Sequence, residues 1–148
     1  PMQTFLPYPD YKLSAMALDM RRLGKQRVEV LQILKALNGE SKGWVNHPAT
    51  LMWKGYEHSL VDYGKAICNE WVQRGYQDTC ADKIEAYRAM FPNSSTDVPF
   101  WMGDKAFHTS HKSNLRRKDP DYYAVWFDIP KDMEYVWPNG KGWLRPLQ

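Results

Sequence analysis

No apolar run in this chain approaches the twenty residues a bilayer span requires, and mean hydropathy is −0.65, so a transmembrane helix is not expected. The first residues lack the basic stretch and apolar segment of a secretory signal. Cysteine is scarce. Cys68 and Cys80 are too few for a disulfide framework, and both are read as reduced thiols with a packing role in a cytoplasmic protein. An excess of one charge is missing too: 20 Lys and Arg stand against 17 Asp and Glu, a net +3. Any nucleic-acid reading must therefore rest on where the cations cluster. Internal repeats, low-complexity tracts and linker-like stretches are absent. With 148 residues, one domain over 1–148 is expected, large enough for its own core.

What is abundant is aromatic. Phe, Trp and Tyr make up 14 % of the chain, with seven Trp and nine Tyr. Such rings build cores, and they also offer flat faces on which bases stack. Met2 to Asp10 carries Pro7 and Pro9 and reads as an extended arm with a turn. A helical stripe follows through Leu13, Met16, Ala17, Met20 and Leu23, interrupted at Gly24, and resumes at Val30, Leu31, Leu34 and Leu37. Asn38-Gly39 is its stop signal. Pro48 suits the first turn of the next helix, with Asn46 or His47 at its cap. Met52, Tyr56, Leu60, Tyr63, Ile67 and Trp71 then form one apolar face that ends at Arg74-Gly75. Gly55 and Gly64 fall inside this stretch, where they would allow close helix approach. Shorter helices are expected over Thr79–Met90 and from Gly103-Asp104 to about Lys118. The remainder reads as irregular and aromatic, with no alternating strand pair. The fold class is all-α: a helical bundle wrapped by an irregular C-terminal segment.

Three clusters carry possible chemistry. Arg22, Lys25, Arg27 and Glu29, with Gln26 among them, set a carboxylate amid cations, which suits acid/base work beside a phosphate backbone. From the spacing alone, an exposed helix face with an ordinary Lys25–Glu29 pair is the favoured reading. From Gly103 to Lys118, the bases Lys105, Lys112, Arg116, Arg117 and Lys118 alternate with His108, His111, Ser110, Ser113 and Asn114. This is a basic patch with aromatics nearby, or a solvated helix over a core. Asp104, His108 and His111 have turn spacing for a divalent cation, although His-x-x-His alone is a weak signal. Finally, Pro1 would survive removal of an initiator methionine. Its secondary amine could attack a sugar C1′ as a covalent nucleophile, unless Pro1 is a remnant ahead of a native Met2.

The segment from Leu18-Asp19 to Glu29, the junction Gly39-Glu40-Ser41-Lys42-Gly43-Trp44-Val45-Asn46-His47-Pro48, Gln73-Arg74-Gly75-Tyr76 and Gly103-Asp104-x-x-x-His108 occur in an order and spacing that resemble the pyrimidine-dimer DNA glycosylase (endonuclease V) family. The opening Gln3-Thr4-Phe5-Leu6-Pro7-Tyr8-Pro9-Asp10 is similar to a bacterial branch of that family. The resemblance implies a helical glycosylase, with possible AP lyase activity, that removes a damaged or modified pyrimidine from duplex DNA. Glu29 would take the place of its catalytic glutamate and Pro1 that of its N-terminal amine. Two features depart from the family pattern. Glu29 follows Val28, not an arginine, and the first segment is longer by several residues. The expected DNA contacts are Arg22, Lys25, Gln26, Arg27, Asn46, His47, His108, His111, Lys112, Asn114, Arg116 and Arg117. No metal or organic cofactor is expected, and the protein is expected to act as a monomer at the nucleoid. The rival readings are a non-catalytic DNA-binding protein and a metal-dependent nuclease built on Asp104, His108 and His111.

Overall fold

The computed structural model describes residues 2–139 and 142–144. Its elements in chain order are α1 (Tyr11–Ala17), α2 (Met20–Leu37), α3 (Pro48–Leu51), α4 (Glu57–Gln73), α5 (Ala81–Ala86) continued by a 3-10 turn (Tyr87–Met90), α6 (Lys105–Lys118) and α7 (Pro120–Tyr123). A two-stranded antiparallel ribbon closes the described chain, β1 (Trp137–Asn139) against β2 (Gly142–Leu144). Among the described residues the fold is all-α apart from that ribbon, in which Pro138 faces Trp143; the sequence suggests no strand pair there. Among the described residues no helix is long and apolar enough to cross a membrane. Cys68 and Cys80 are free and buried.

The long α2 and α4 pack on each other, and two glycines set their distance. A Cβ on Gly64 would lie 2.7 Å from Val30 Cγ1, and one on Gly24 would lie 2.9 Å from the Trp71 ring. Gly24 therefore does not divide the first helical stretch. The division falls at Leu18-Asp19, where Asp19 is extended and its carboxylate caps the Arg22 N–H. Tyr123 holds Asp19 there, since its hydroxyl accepts the Asp19 N–H at 2.9 Å and donates to the carboxylate. In the second stretch, Gly55 is a break (φ 89°) between α3 and α4, not a helix interior. The stops at Asn38-Gly39 and Arg74-Gly75 occur as expected, with φ of 76° and 95° at the two glycines.

The N-terminal arm determines how the site is built. Met2, Gln3, Thr4, Phe5 and Leu6 are all buried, although none is in a helix or strand. Burying irregular backbone demands partners for every N–H and C=O. Buried polar side chains supply them. Gln26 of α2 accepts the Phe5 N–H at 3.0 Å and donates to the Gln3 carbonyl at 2.8 Å. Tyr63 of α4 donates to the Phe5 carbonyl at 2.7 Å. From α6, His111 Nδ1 accepts the Leu6 N–H at 2.9 Å, and His108 Nδ1 lies 2.8 Å from the Leu6 carbonyl. The arm thus runs through a polar sleeve cut into an otherwise apolar core.

Candidate active site beside Glu29

Glu29 projects from the middle of α2 and is only 6 % exposed. Gln26 Nε2 donates to its Oε2 at 2.8 Å, the Gln3 backbone N–H bonds the same carboxylate, and Lys25 Nζ stands 3.7 Å from Oε1. Burial raises the Glu29 pKa, and Lys25 and the two hydrogen bonds only partly oppose it. The balance differs from that suggested by the charged sequence around it, in which the cations would dominate. Burial outweighs them because Lys25 is 68 % exposed, so water screens its charge.

Above the carboxylate lies a cleft of about 150 Å³, lined by Phe5, Arg22, Lys25, Gln26, Glu29 and Lys118. Arg117 belongs to the same field, since it and Arg22 and Lys25 all act on the Lys118 charge. A buried carboxylate in a cleft lined by Arg22, Lys25 and Lys118 can receive a phosphate-bearing sugar. The cations hold the phosphates, and the carboxylate faces what lies between them.

The expected site residues divide sharply. Arg22, Lys25 and Glu29 meet at this cleft, with Arg117 nearby. Gln26 is 1 % exposed with its amide fully engaged, so it orients Glu29 and the arm and does not reach a ligand outside. Arg27 points elsewhere, bound to Asp78 at 2.7 Å and lying over the Trp71 ring at 4.5 Å. His108 and His111 are buried. Gly103 N–H donates to His108 Nε2 at 2.9 Å, which leaves the Nδ1 proton for Leu6. Burial lowers both imidazole pKa values, that of His111 to about 3. Asn114 is 1 % exposed and donates to the Ser110 and Met133 carbonyls, and Arg117 donates to its Oδ1. Arg116 donates to the carbonyls of Phe127 and Ile129. Neither His108, His111 nor Asn114 presents a free edge to DNA; each fixes the arm or the C-terminal segment instead.

Lys112 sits over the rings of Tyr8 and Phe127 at 4.8 and 5.9 Å. His47 caps α3, taking the Ala49 N–H on Nδ1 at 3.0 Å, between the rings of Trp44 and Trp137; Asn46 beside it is exposed. Pro1 lies outside the described residues. The metal reading loses its ligands: His108 has both ring nitrogens engaged, His111 uses Nδ1 on Leu6, and Asp104 caps α6 through Phe107 N–H. Among the described residues no three His, Cys, Asp or Glu side chains gather. Sequence reasoning left out Lys118 and Gln3 as site residues. Lys118 stood in a run of bases with nothing to set it apart, and Gln3 acts through its backbone.

No curated protein and no solved structure matches this chain. The family model described as pyrimidine dimer DNA glycosylase matches residues 2–84, a span that holds the arm, α2, Glu29 and most of the cleft. That match covers more than half of the sequence, and the chain belongs to the pyrimidine dimer DNA glycosylase family.

Proposed function

We propose that this protein excises a damaged or modified pyrimidine, of the pyrimidine-dimer type, from duplex DNA. An amine nucleophile and Glu29 would carry the reaction, and strand cleavage would follow by lyase chemistry. The observation that carries the reading is the Glu29 carboxylate itself. It is buried at the base of a cationic cleft, and the backbone of residue 3 holds it within the family-matched segment. Burying a carboxylate costs stability that no packing need explains, which is the mark of a group kept for chemistry.

In this reading Arg22, Lys25 and Lys118 hold the phosphates on either side of the lesion. The duplex opens at the damaged step, where unstacking costs least. The Pro1 amine attacks C1′ as the glycosidic bond breaks. The product is a ring-opened iminium. Glu29, with its raised pKa, passes protons during ring opening and takes the C2′ proton when the strand is cut. No step calls on a metal or organic cofactor. The protein acts as one domain and as a monomer.

The test is base release from a duplex carrying a defined pyrimidine dimer, run with EDTA, together with borohydride trapping on an abasic duplex. Base release and a covalent adduct are expected, and Glu29→Gln should reduce turnover at least a hundredfold while DNA affinity holds. Salt-sensitive binding with neither product would leave a DNA-binding protein in place of an enzyme. Loss of cleavage with EDTA would restore the nuclease reading.

A further inference from the structure

Tyr63 directly precedes Gly64, the glycine whose missing side chain lets α4 close on α2, and it is completely buried. Its ring packs against Trp53 and Tyr11, with centroids 5.9 and 5.5 Å away. The hydroxyl therefore has a fixed place between two acceptors, the Phe5 carbonyl at 2.7 Å and Gln26 Oε1 at 2.8 Å. Gln26 uses its amide fully and in one sense. Oε1 accepts from the Phe5 N–H and from Tyr63, and Nε2 donates to the Gln3 carbonyl and to Glu29 Oε2. Turned over, the amide would set its oxygen against that carbonyl and that carboxylate, and its own N–H groups against the Phe5 N–H.

We propose that Tyr63 is a positioning residue for Glu29: acting through the Gln26 amide, its hydroxyl holds the carboxylate in register with residue 3 of the arm and toward the cleft. The inference rests on the reading above, in which Glu29 moves protons, and adds a residue outside the cleft on which that role depends. From the arm, Gln26 is oriented by irregular backbone that has no helix or sheet ladder to keep it in place. Tyr63 ties both partners to the framework of α4, since it shares its one proton between the arm at Phe5 and the amide of Gln26. A donor on Oε1 also polarises the amide and strengthens the N–H that Gln26 offers Glu29, as linked hydrogen bonds do where the dielectric is low.

Among the described residues, the titratable groups that act on Glu29 include Lys25 of its own helix, Tyr63 of α4, Lys118 of α6 and Tyr135 of the C-terminal segment. Tyr63 is joined to it by an unbroken chain of hydrogen bonds, from phenol to amide to carboxylate. Removing the hydroxyl weakens the support of the ionised carboxylate, so the Glu29 titration should move to higher pH. A ring that only filled the core would change stability and leave that titration where it is.

The experiment follows the Glu29 carboxyl carbon of the full chain by isotope-edited NMR, with the resonance assigned by its loss in Glu29→Gln, and needs no substrate. Tyr63→Phe should raise the titration by about half a pH unit to one, the size of one hydrogen bond. A ring-fluorinated tyrosine in place of Tyr63, a stronger donor, should lower it, which keeps the test open if Tyr63→Phe does not fold. Gln26→Met should raise the titration too, and adding Tyr63→Phe should raise it no further, because the path between them is already cut. On a pyrimidine-dimer duplex, Tyr63→Phe should lower kcat about tenfold and leave KM within about twofold. A titration unmoved by either change at Tyr63, one raised equally with and without Gln26, or a kcat that Tyr63→Phe leaves at the native value would each overturn the proposal. Failure of the glycosylase reading is distinguishable, because the native chain would then release no base while the titrations still moved as stated.

Discussion

At the scale of single residues, this molecule keeps polar side chains inside for two distinct reasons. Gln26, Tyr63, His108 and His111 are buried to complete the hydrogen bonds of an irregular arm. Glu29 is buried with its pKa raised. These cases predict opposite responses. His111→Ala leaves the Leu6 N–H without its acceptor and should cost about 1–3 kcal/mol in urea unfolding, beyond the cavity it creates. Glu29→Gln should unfold at an equal or higher temperature than the native chain, because a carboxylate whose folded pKa exceeds its unfolded one is destabilising once ionised. The pH profile follows from His111. Its folded pKa is pushed to about 3, below the ordinary imidazole value of about 6.5, so only the unfolded chain takes up a proton as pH falls through about 6.5. Its contribution is fully present above that value and declines toward pH 3. The urea midpoint should drop between pH 7 and 4, and His111→Asn, whose amide oxygen can still accept from Leu6, should drop less steeply.

At the scale of elements, helix ends were legible and helix junctions were not. Asn38-Gly39 and Arg74-Gly75 stop their helices because glycine takes the left-handed backbone that a helix end needs, a local property. The break at Leu18-Asp19 depends on Tyr123, 104 residues away, which holds Asp19 extended. Gly24 reads as a break in a one-dimensional pattern, yet it is the seat on which Trp71 packs. Gly64→Ala tests the same point between α4 and α2. Its new methyl would meet Val30 and Ile84 at 2.7 and 3.1 Å, and overpacking of that kind should cost about 1–3 kcal/mol. Chemical denaturation checks it, and a neutral substitution would mean that the two helices separate easily.

For the whole molecule, the question is how much of a mildly positive charge is free to meet DNA. Arg27 is held by Asp78 and Trp71, and Arg116 by the carbonyls of Phe127 and Ile129, so basic residues that look alike in the sequence serve different ends. Three cations, Arg22, Lys25 and Lys118, line the cleft, whereas Arg117 donates to Asn114 Oδ1 and to the carbonyls of Lys131 and Met133. If each of the three meets one phosphate, log affinity should fall with log salt at a slope of about −2.7, near −0.9 per contact. Lys25→Ala should lower that slope by about one, whereas Arg116→Ala should leave it unchanged and reduce thermal stability instead. A titration at several salt concentrations separates the two.

The sequence by itself determined the helical class, the principal helix ends, the family and the place of Glu29 among cations. Those follow from patterns within a few turns of chain or from the order of motifs along it. Tertiary structure decided which polar groups face inward. From spacing, His108 and His111 suit a metal or a phosphate as well as they suit a backbone; only the passage of the arm between α2, α4 and α6 assigns them to Leu6. The same passage brings Gln3 to Glu29, and the end of α6 carries Lys118 to the rim opposite. Burial depends on contacts far apart in the chain, and burial sets which charges water screens. The chemistry of the cleft was therefore written in three dimensions, on residues that one dimension could only nominate.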